Sequence, residues 1–251
     1  MSILRTTTLS FLMLLSIPSY AEEILIAAAA DLKFAMDEVI KDFKVANPSD
    51  KISVVYGSSG TFLLQIQNGA PYDLYFSADI DFPKKLQSMK LTSSEVKPYA
   101  FGRLVLWSNQ VDASKMTLRD LVDKSISRIA IANPQHAPYG KRASEALQAV
   151  NAYDAVKEKL VLAENIGQAS QWVKTGNAQV GIIALSLALS SEMQGQGKYS
   201  LIDEKLHQRL EQGFVITKHA EKSSLAKRFA DNMSSMKTRS VMERYGFVIP
   251  K

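Results

Sequence analysis

The sequence predicts an α/β protein of two lobes, each built on a mostly parallel sheet. Short apolar runs typical of buried parallel strands alternate with amphipathic helical stripes along the chain. Most of these strands are followed by a short polar loop that leads into a helix, an order that favours parallel sheets with right-handed crossovers. The pattern occurs in two groups, residues 22–101 and 103–213, and a helical stretch follows.

Composition narrows the class of protein further. The chain has 251 residues, of which 46% are hydrophobic and 22% charged, values typical of globular domains. It has no cysteine, which excludes disulfides, thiolate metal sites, cysteine nucleophiles and a lipid attached through an N-terminal cysteine. The net charge of +5 is small and its basic residues are scattered, so we expect no nucleic-acid partner.

Residues 1–21 have the pattern of an export signal. Arg5 precedes an apolar stretch over residues 9–18, and small residues at Ser19 and Ala21 fit cleavage after Ala21. That stretch is too short for a membrane anchor, which needs about 20 apolar residues. We therefore expect a soluble mature protein outside the cytoplasm, in the periplasm of a Gram-negative cell.

The individual elements follow from the same periodicities. Apolar runs predict strands over residues 23–28, 51–56, 73–77, 102–108, 128–132, 160–163, 180–184 and 213–217. Helical spacing predicts helices over residues 32–46, 61–68, 118–122, 141–150 and 167–175. A last helical stripe joins four apolar residues, Leu225, Phe229, Met233 and Met236.

The predicted lobes are formed by different parts of the chain. Lobe I combines residues 22–101 with 217–251, and lobe II comprises residues 102–216. The chain should therefore pass between the lobes twice, near residues 101–102 and 213–214, and these passages should act as a hinge.

Four loops lead from the end of a strand into a helix: residues 29–31, 57–60, 133–140 and 164–166. Ligands of open α/β sheets bind at such strand ends. The free N–H groups and positive dipole end of a helix suit an anion. One serine-capped helix would be ordinary, but four such loops in one chain predict a binding site.

Signatures of an enzyme are weak. The three histidines, His136, His207 and His219, lack metal-ligand spacing. The Gly-Ser-Ser-Gly loop at 57–60 has neither a nucleophile elbow nor the lysine of a P-loop. We expect His136 to rigidify its proline-rich loop, and Asp79 and Asp81 to be turn or cap residues. No catalytic residue and no bound metal cation are predicted.

Six segments in order resemble one family. They are AAAADL (27–32), YGSSG (56–60), GAPYDLYFSAD (69–79), NPQHAPYG (133–140), ENI (164–166) and RYGF (244–247). The set is similar to the periplasmic molybdate-binding proteins, the substrate-binding components of ABC transporters, over residues 24 to 249.

The resemblance implies a type II periplasmic-binding-protein fold with the ligand cleft between the lobes. It implies a monomer that binds molybdate or tungstate without a cofactor and delivers it to the membrane permease of an ABC importer. By position, the anion contacts fall at five residues: Asp31, Ser59, Tyr139, Ile166 and Ala184. Tyr139 and Ile166 would contribute through their backbone N–H groups. Two positions depart from the family, where serine is common at Asp31 and tyrosine at Ala184.

The dianions molybdate and tungstate offer only hydrogen-bond acceptors, so neutral N–H and O–H donors suit them. A carboxylate would be repelled in such a site. We therefore expect Asp31 to turn away from the ligand and cap the helix predicted at 32–46.

Three alternatives remain open at this point. The chain could bind another tetrahedral oxyanion such as sulfate. It could be a two-lobed transferase similar to porphobilinogen deaminase, although that enzyme tethers its cofactor through a cysteine. It could also be the effector domain of a transcription regulator, but the predicted signal peptide occupies the place of a helix-turn-helix.

Overall fold

A computed structural model describes residues 22–250 of the chain. The predicted signal peptide and its cleavage site lie outside this range. Ten strands occur within it: β1 (Glu23–Ala29), β2 (Lys51–Gly57), β3 (Leu74–Ser77), β4 (Lys97–Gly102), β5 (Leu104–Ser108), β6 (Ile129–Ala132), β7 (Leu160–Ala163), β8 (Val180–Ala184), β9 (Lys198–Leu201) and β10 (Leu210–Ile216).

The α-helices of the same range are α1 (Lys33–Ala46), α2 (Ser59–Gln67), α3 (Asp81–Ser88), α4 (Pro138–Ala149), α5 (Tyr153–Val156), α6 (Ile166–Lys174), α7 (Leu185–Ala188), α8 (Ser224–Asn232) and α9 (Met236–Arg244). The segment predicted as a helix at 118–122 is a 3-10 helix, and another 3-10 turn, Ala30–Leu32, precedes α1. None of the helices in the described range is long and apolar enough to cross a membrane.

The strands form two five-stranded sheets, which confirms the two-lobed α/β class. The first has the order β2-β1-β3-β10-β4 and the second β7-β6-β8-β5-β9. In each sheet three neighbouring strands are parallel, and the remaining pairings are antiparallel. Both sheets are therefore mixed rather than mostly parallel.

The chain first passes between the sheets at Arg103, next to the predicted position, and returns through residues 202–209. The prediction that lobe II extends to residue 216 was wrong by the length of β10. This strand pairs with β3 on one side and β4 on the other, so it belongs to lobe I. Gly213, a predicted hinge residue, lies inside β10.

Helix α4 begins at Pro138, three residues before the predicted start. Proline suits the first helical position because its missing N–H would have no partner there. Gly140 in the same turn approaches the backbone closely, since a Cβ there would lie 1.9 Å from the carbonyl oxygen of Ala132. Gly140, which the sequence places in a loop, thus allows the first turn of α4 to pack closely against the end of β6.

The predicted C-terminal stripe is interrupted. Helix α8 ends at Asn232, and Ser235 caps α9 by accepting a hydrogen bond from the N–H of Thr238. Met233 is buried, but Met236 is 88% exposed, so including Met236 in the apolar stripe was wrong.

Apolar side chains fill both faces of the first sheet and both faces of the second. In lobe I, Phe76 stacks on Phe214 with ring centroids 4.8 Å apart and meets Phe229 edge-on. In lobe II, Trp107 is fully buried. The lobe II core continues to Ala30 and Ala78 of lobe I, so the two lobes are packed together around the cleft.

The two methionines provide a matched test of this core. Met233→Ala should destabilise the protein by about 2–5 kcal/mol, the usual cost of truncating a buried methionine. Met236→Ala should change the free energy of unfolding by less than about 0.5 kcal/mol, because this side chain is exposed. Chemical denaturation of both variants measures the difference, and equal losses would contradict the helix break.

Candidate functional site

Three helix N-termini from the two lobes meet at one point. Ser59 is the first residue of α2 in lobe I, Tyr139 the second residue of α4 in lobe II, and Ile166 the first residue of α6 in lobe II. N–H groups of a first helical turn have no partner within the helix. Their convergence concentrates donors and positive dipole ends at the cleft.

These residues line a small cavity between the lobes, with a volume of about 10 Å³. Its lining contains neither lysine nor arginine and consists of Ala29, Ala30, Asp31, Gly57, Ser58, Ser59, Ala78, Ala137, Pro138, Tyr139 and Ile166. Pockets for organic ligands typically measure about 300–1,000 Å³. The cavity therefore suits a small inorganic ion held by uncharged donors.

Ser59 is held in place from two sides. Its backbone carbonyl accepts a hydrogen bond from Tyr75 Oη at 2.6 Å, and its Oγ accepts one from the N–H of Ala78 at 3.0 Å. The hydroxyl thus retains its own proton for donation. The predicted site residue Ser59 is a fixed donor on the lobe I side of the cavity.

Asp31 also lines the cavity, but its side chain does not cap a helix. No side-chain cap is present on α1, and Asp31 lies in the 3-10 turn that precedes it. Its Oδ2 accepts hydrogen bonds from Tyr139 Oη at 2.9 Å and from Gln212 Nε2 at 2.7 Å. The predicted cap was wrong because these buried partners take up the carboxyl group instead.

The network of Asp31 connects the lobes. Tyr139 belongs to lobe II, and Ser186 of the same lobe donates from its Oγ to the carbonyl oxygen of Asp31 at 2.7 Å. On the lobe I side, Tyr99 Oη donates to Oε1 of Gln212 at 2.6 Å, which orients the Gln212 amide. Burial raises the pKa of the Asp31 carboxyl to about 6, although the bonds from Gln212, Tyr139 and the backbone N–H groups of Asp31 and Leu32 oppose the increase.

Of the five predicted contacts, the structure brings four together at the cavity, namely Asp31, Ser59, Tyr139 and Ile166. Ala184 does not line it. That residue is buried at the end of β8, where it pairs with Leu104 of β5.

A second set of contacts joins the start of α2 to the loop before α4. Ser58 Oγ and the N–H of Gly60 both donate to the carbonyl oxygen of His136, at 2.6 and 2.9 Å. The Nδ1 atom of His136 lies 3.0 Å from Ser58 Oγ. His136, expected to rigidify its own loop, thus also contacts the opposite lobe.

A buried ion pair also crosses the cleft. Arg142 of α4 is 5% exposed, and its guanidinium lies 3.2 Å from the Asp79 carboxylate of lobe I and 2.7 Å from Glu145. Asp79 additionally accepts from the N–H of Asp81, the turn role predicted for it. The structure is therefore that of the closed form of a two-lobed protein.

A larger cavity, of about 340 Å³, lies beside the first. Its lysines are already paired, Lys33 with Asp37 and Lys174 with Glu192, each at 2.9 Å. The smaller cavity, in contrast, is lined by the first residues of three helices and has no charged side chain besides Asp31, so it is the better candidate for an anion.

Sequence reasoning missed Gln212, Ser186 and Arg142. Gln212 carried a signal, since it is a polar residue next to the apolar run at 213–217. The predicted strand began one residue too late to include it. Ser186 and Arg142 follow a strand and a loop, respectively, and their partners could be identified only in three dimensions.

Residues 22–250 contain no group of three or more histidine, aspartate and glutamate side chains that could hold a metal ion. The fold and site together define a two-lobed binding protein with a small anion site in the cleft between its lobes. The chain matches the family described as bacterial extracellular solute-binding protein over residues 24–248, and it belongs to that family.

Relatives agree with this assignment. The chain is 31% identical to the molybdate-binding protein of Rhodobacter capsulatus, over 96% of this chain and 94% of the relative. It is 33% identical to that of Azotobacter vinelandii, over 93% of each. The solved Azotobacter vinelandii periplasmic molybdate-binding protein superposes with a TM-score of 0.83 at 29% identity, covering 91% of this chain and all of the other.

A sulfate-binding protein from Mycobacterium tuberculosis shares the fold, with a TM-score of 0.72 at 16% identity over 90% of this chain and 86% of the other. The family consists of solute-binding proteins rather than enzymes, which confirms the prediction that the chain is not an enzyme.

Proposed function

We propose that this protein captures molybdate, or the similar dianion tungstate, and delivers it to an ABC importer. The observation that carries the proposal is the convergence of three helix N-termini and the Ser59 hydroxyl on a small cavity without cations. The names of the relatives support the same ligand.

Neutral donors can hold a dianion that is stripped of water, because each N–H or O–H contributes a charge-assisted hydrogen bond. Ser59 contributes its hydroxyl, and Tyr139 and Ile166 contribute backbone N–H groups of their first turns. No cofactor takes part in this mode of binding. Size and basicity then distinguish molybdate from sulfate, which has the same charge and shape.

The export pattern of residues 1–21 supports a periplasmic location after cleavage following Ala21. The absence of cysteine from the chain favours a free protein rather than a lipoprotein. We infer that it acts as a monomer whose two lobes, once closed on the anion, are presented to a membrane permease.

Thermal-shift measurements on the mature protein test the ligand. A ligand that binds only the folded state stabilises it by about 2.7 kcal/mol at 100-fold excess over Kd. Molybdate and tungstate should raise the melting temperature clearly, and sulfate and phosphate only weakly. Equal shifts with sulfate and molybdate would disprove the selectivity, and no shift with any of the four would disprove the proposed function.

Ser59→Ala should weaken molybdate binding by about 1.5–3 kcal/mol, typical of a hydrogen bond to a charged group. Ser58→Ala is the matched comparison. It removes a neutral hydrogen bond between the lobes, the Ser58 to His136 bond, and should cost only about 0.5–1.5 kcal/mol. Titration calorimetry of both variants measures the difference, and a larger loss in Ser58→Ala would place the anion one residue earlier in the loop.

A further inference from the structure

We propose that Asp31 binds the oxyanion as a neutral carboxylic acid, so that capture of the dianion takes up one proton. This inference rests on the proposed function. It adds a selectivity role to a residue whose negative charge otherwise conflicts with an anion site.

The geometry leaves one oxygen of Asp31 for the ligand. Asp31 is 1% exposed and lines the cavity, and its Oδ2 already accepts from Tyr139 and Gln212. Its Oδ1 is buried and has no hydrogen-bond partner among the described residues. Because molybdate offers only acceptor oxygens, Oδ1 can form a hydrogen bond to it only if Oδ1 carries a proton.

Burial favours the protonated form, and the hydrogen bonds from Gln212, Tyr139 and the backbone N–H groups of Asp31 and Leu32 oppose it only in part. The titratable groups that face Asp31 are Tyr139 from α4 and Tyr99 from β4, and burial raises the pKa of both hydroxyls well above the ordinary value. Gln212 from β10 and Ser186 from α7 are neutral. The nearest lysine along the chain, Lys33 of α1, pairs with the exposed Asp37. No ion pair to Asp31 occurs within residues 22–250.

The direction of the pH effect follows from these contacts. In the unliganded protein, burial raises the pKa of Asp31 to about 6. A bound dianion disfavours the carboxylate further and raises this pKa again. At a pH between the pKa of Asp31 in the free protein and its pKa in the complex, Asp31 takes up a proton from the buffer when the anion binds. In this range the affinity should fall about tenfold per pH unit as the pH rises. Below about pH 6 the free protein already holds the proton, so the affinity levels off there.

A proton shared between Asp31 and the ligand also favours the more basic oxyanion. Molybdate is a stronger base than sulfate, so the hydrogen bond from the acid is stronger to molybdate. Asp31 therefore contributes to the rejection of sulfate by chemistry, in addition to the size of the cavity.

Titration calorimetry with sodium molybdate at about pH 8, in buffers that differ in ionisation enthalpy, counts the protons. For the full mature protein we expect close to one proton taken up, and a Kd that rises about tenfold from pH 7 to pH 8. Asp31→Asn places an amide donor where the acid hydroxyl lies, so it should take up no proton, keep a constant Kd, and discriminate less well against sulfate. Asp37→Asn, on an exposed carboxylate of α1, should behave like wild type.

If wild type binds molybdate at about pH 8 without proton uptake, the inference is wrong although the proposed function stands. Proton uptake that persists in Asp31→Asn also overturns it. If wild type binds neither molybdate nor tungstate at any pH, the proposed function itself fails. Should Asp31→Asn not fold, Asp31→Ser provides a second neutral variant with the same expected loss of proton uptake.

Discussion

Gly60→Ala is expected to weaken molybdate binding by about 10- to 100-fold while the protein stays folded. A Cβ on Gly60 would lie 2.5 Å from the carbonyl oxygen of His136, which is backbone of the opposite lobe. Overpacking of this kind costs about 1–3 kcal/mol, and each 1.4 kcal/mol changes an equilibrium about tenfold. The molecule avoids the clash when the lobes open. The free-energy cost therefore falls on closure of the lobes and on anion binding.

Within lobe I the same substitution is favourable, because alanine exceeds glycine in helix propensity by up to about 1 kcal/mol. The melting temperature without ligand should therefore hold or rise. Thr61→Ala, the next position on α2, is the control. It removes only an exposed hydrogen bond of 3.5 Å to Glu164 of lobe II and should bind almost like wild type. Small-angle scattering should show that Gly60→Ala has a larger radius of gyration than wild type with molybdate. A compact, tightly binding Gly60→Ala protein would contradict the closed geometry.

Arg142→Met is expected to reduce molybdate affinity by up to about 3–5 kcal/mol, the usual cost of removing one partner of a buried ion pair. The variant keeps the apolar stem of the side chain but leaves Asp79 without its cation. Since Arg142 and Asp79 lie on opposite lobes, Asp79 can regain water by opening the cleft. The penalty should therefore appear in closure and binding more than in unfolding.

The double variant Asp79→Asn, Arg142→Met should recover part of the affinity, because no unpaired carboxylate remains at residue 79. Asp81→Asn supplies the matched control. Asp81 lies two residues away in an exposed pair with Lys84, and such pairs contribute about 0–1 kcal/mol. Titration calorimetry and chemical denaturation on the four proteins separate binding from folding. A loss confined to unfolding would show that the pair acts within lobe II through Glu145 alone.

The fold was predictable where sequence periodicity reflects burial. Strands β7 and β8 match their predicted bounds. The apolar run of β7 lies between Lys159 and Glu164, and that of β8 begins directly after Gln179. Sequence periodicity did not predict the bounds of a strand where they depend on pairing with another strand far away in the chain. The early residues of β10, including Glu211 and Gln212, do not have an apolar pattern, but they pair with β4. The strand was therefore predicted too short, and the lobe boundary was misplaced with it.

In the site, too, local sequence signals predicted some features, whereas contacts between distant parts of the chain could not be predicted. The four loops could be placed at one cleft because each follows a strand end and leads into a helix, a local signal. The family resemblance then assigned Ser59, Tyr139 and Ile166 within them. The role of Asp31 could not be predicted in this way. Its partners Tyr139 and Gln212 are 108 and 181 positions away along the chain. Local sequence predicts that such a residue caps the next helix, whereas its carboxyl group accepts hydrogen bonds from buried partners far away in the chain.

The position of β10 also determines the order in which the two sheets can form. This strand lies between β3 and β4 in the first sheet, although it comes after every strand of the second. All strands of the second sheet lie within residues 104–201, whereas the first sheet stays divided until residues 210–216 pair with β3 and β4. During synthesis from the N-terminus, all strands of the second sheet are therefore available before the last strand of the first sheet has been made. The Asp31 carboxyl acquires its Gln212 partner only when β10 is in place.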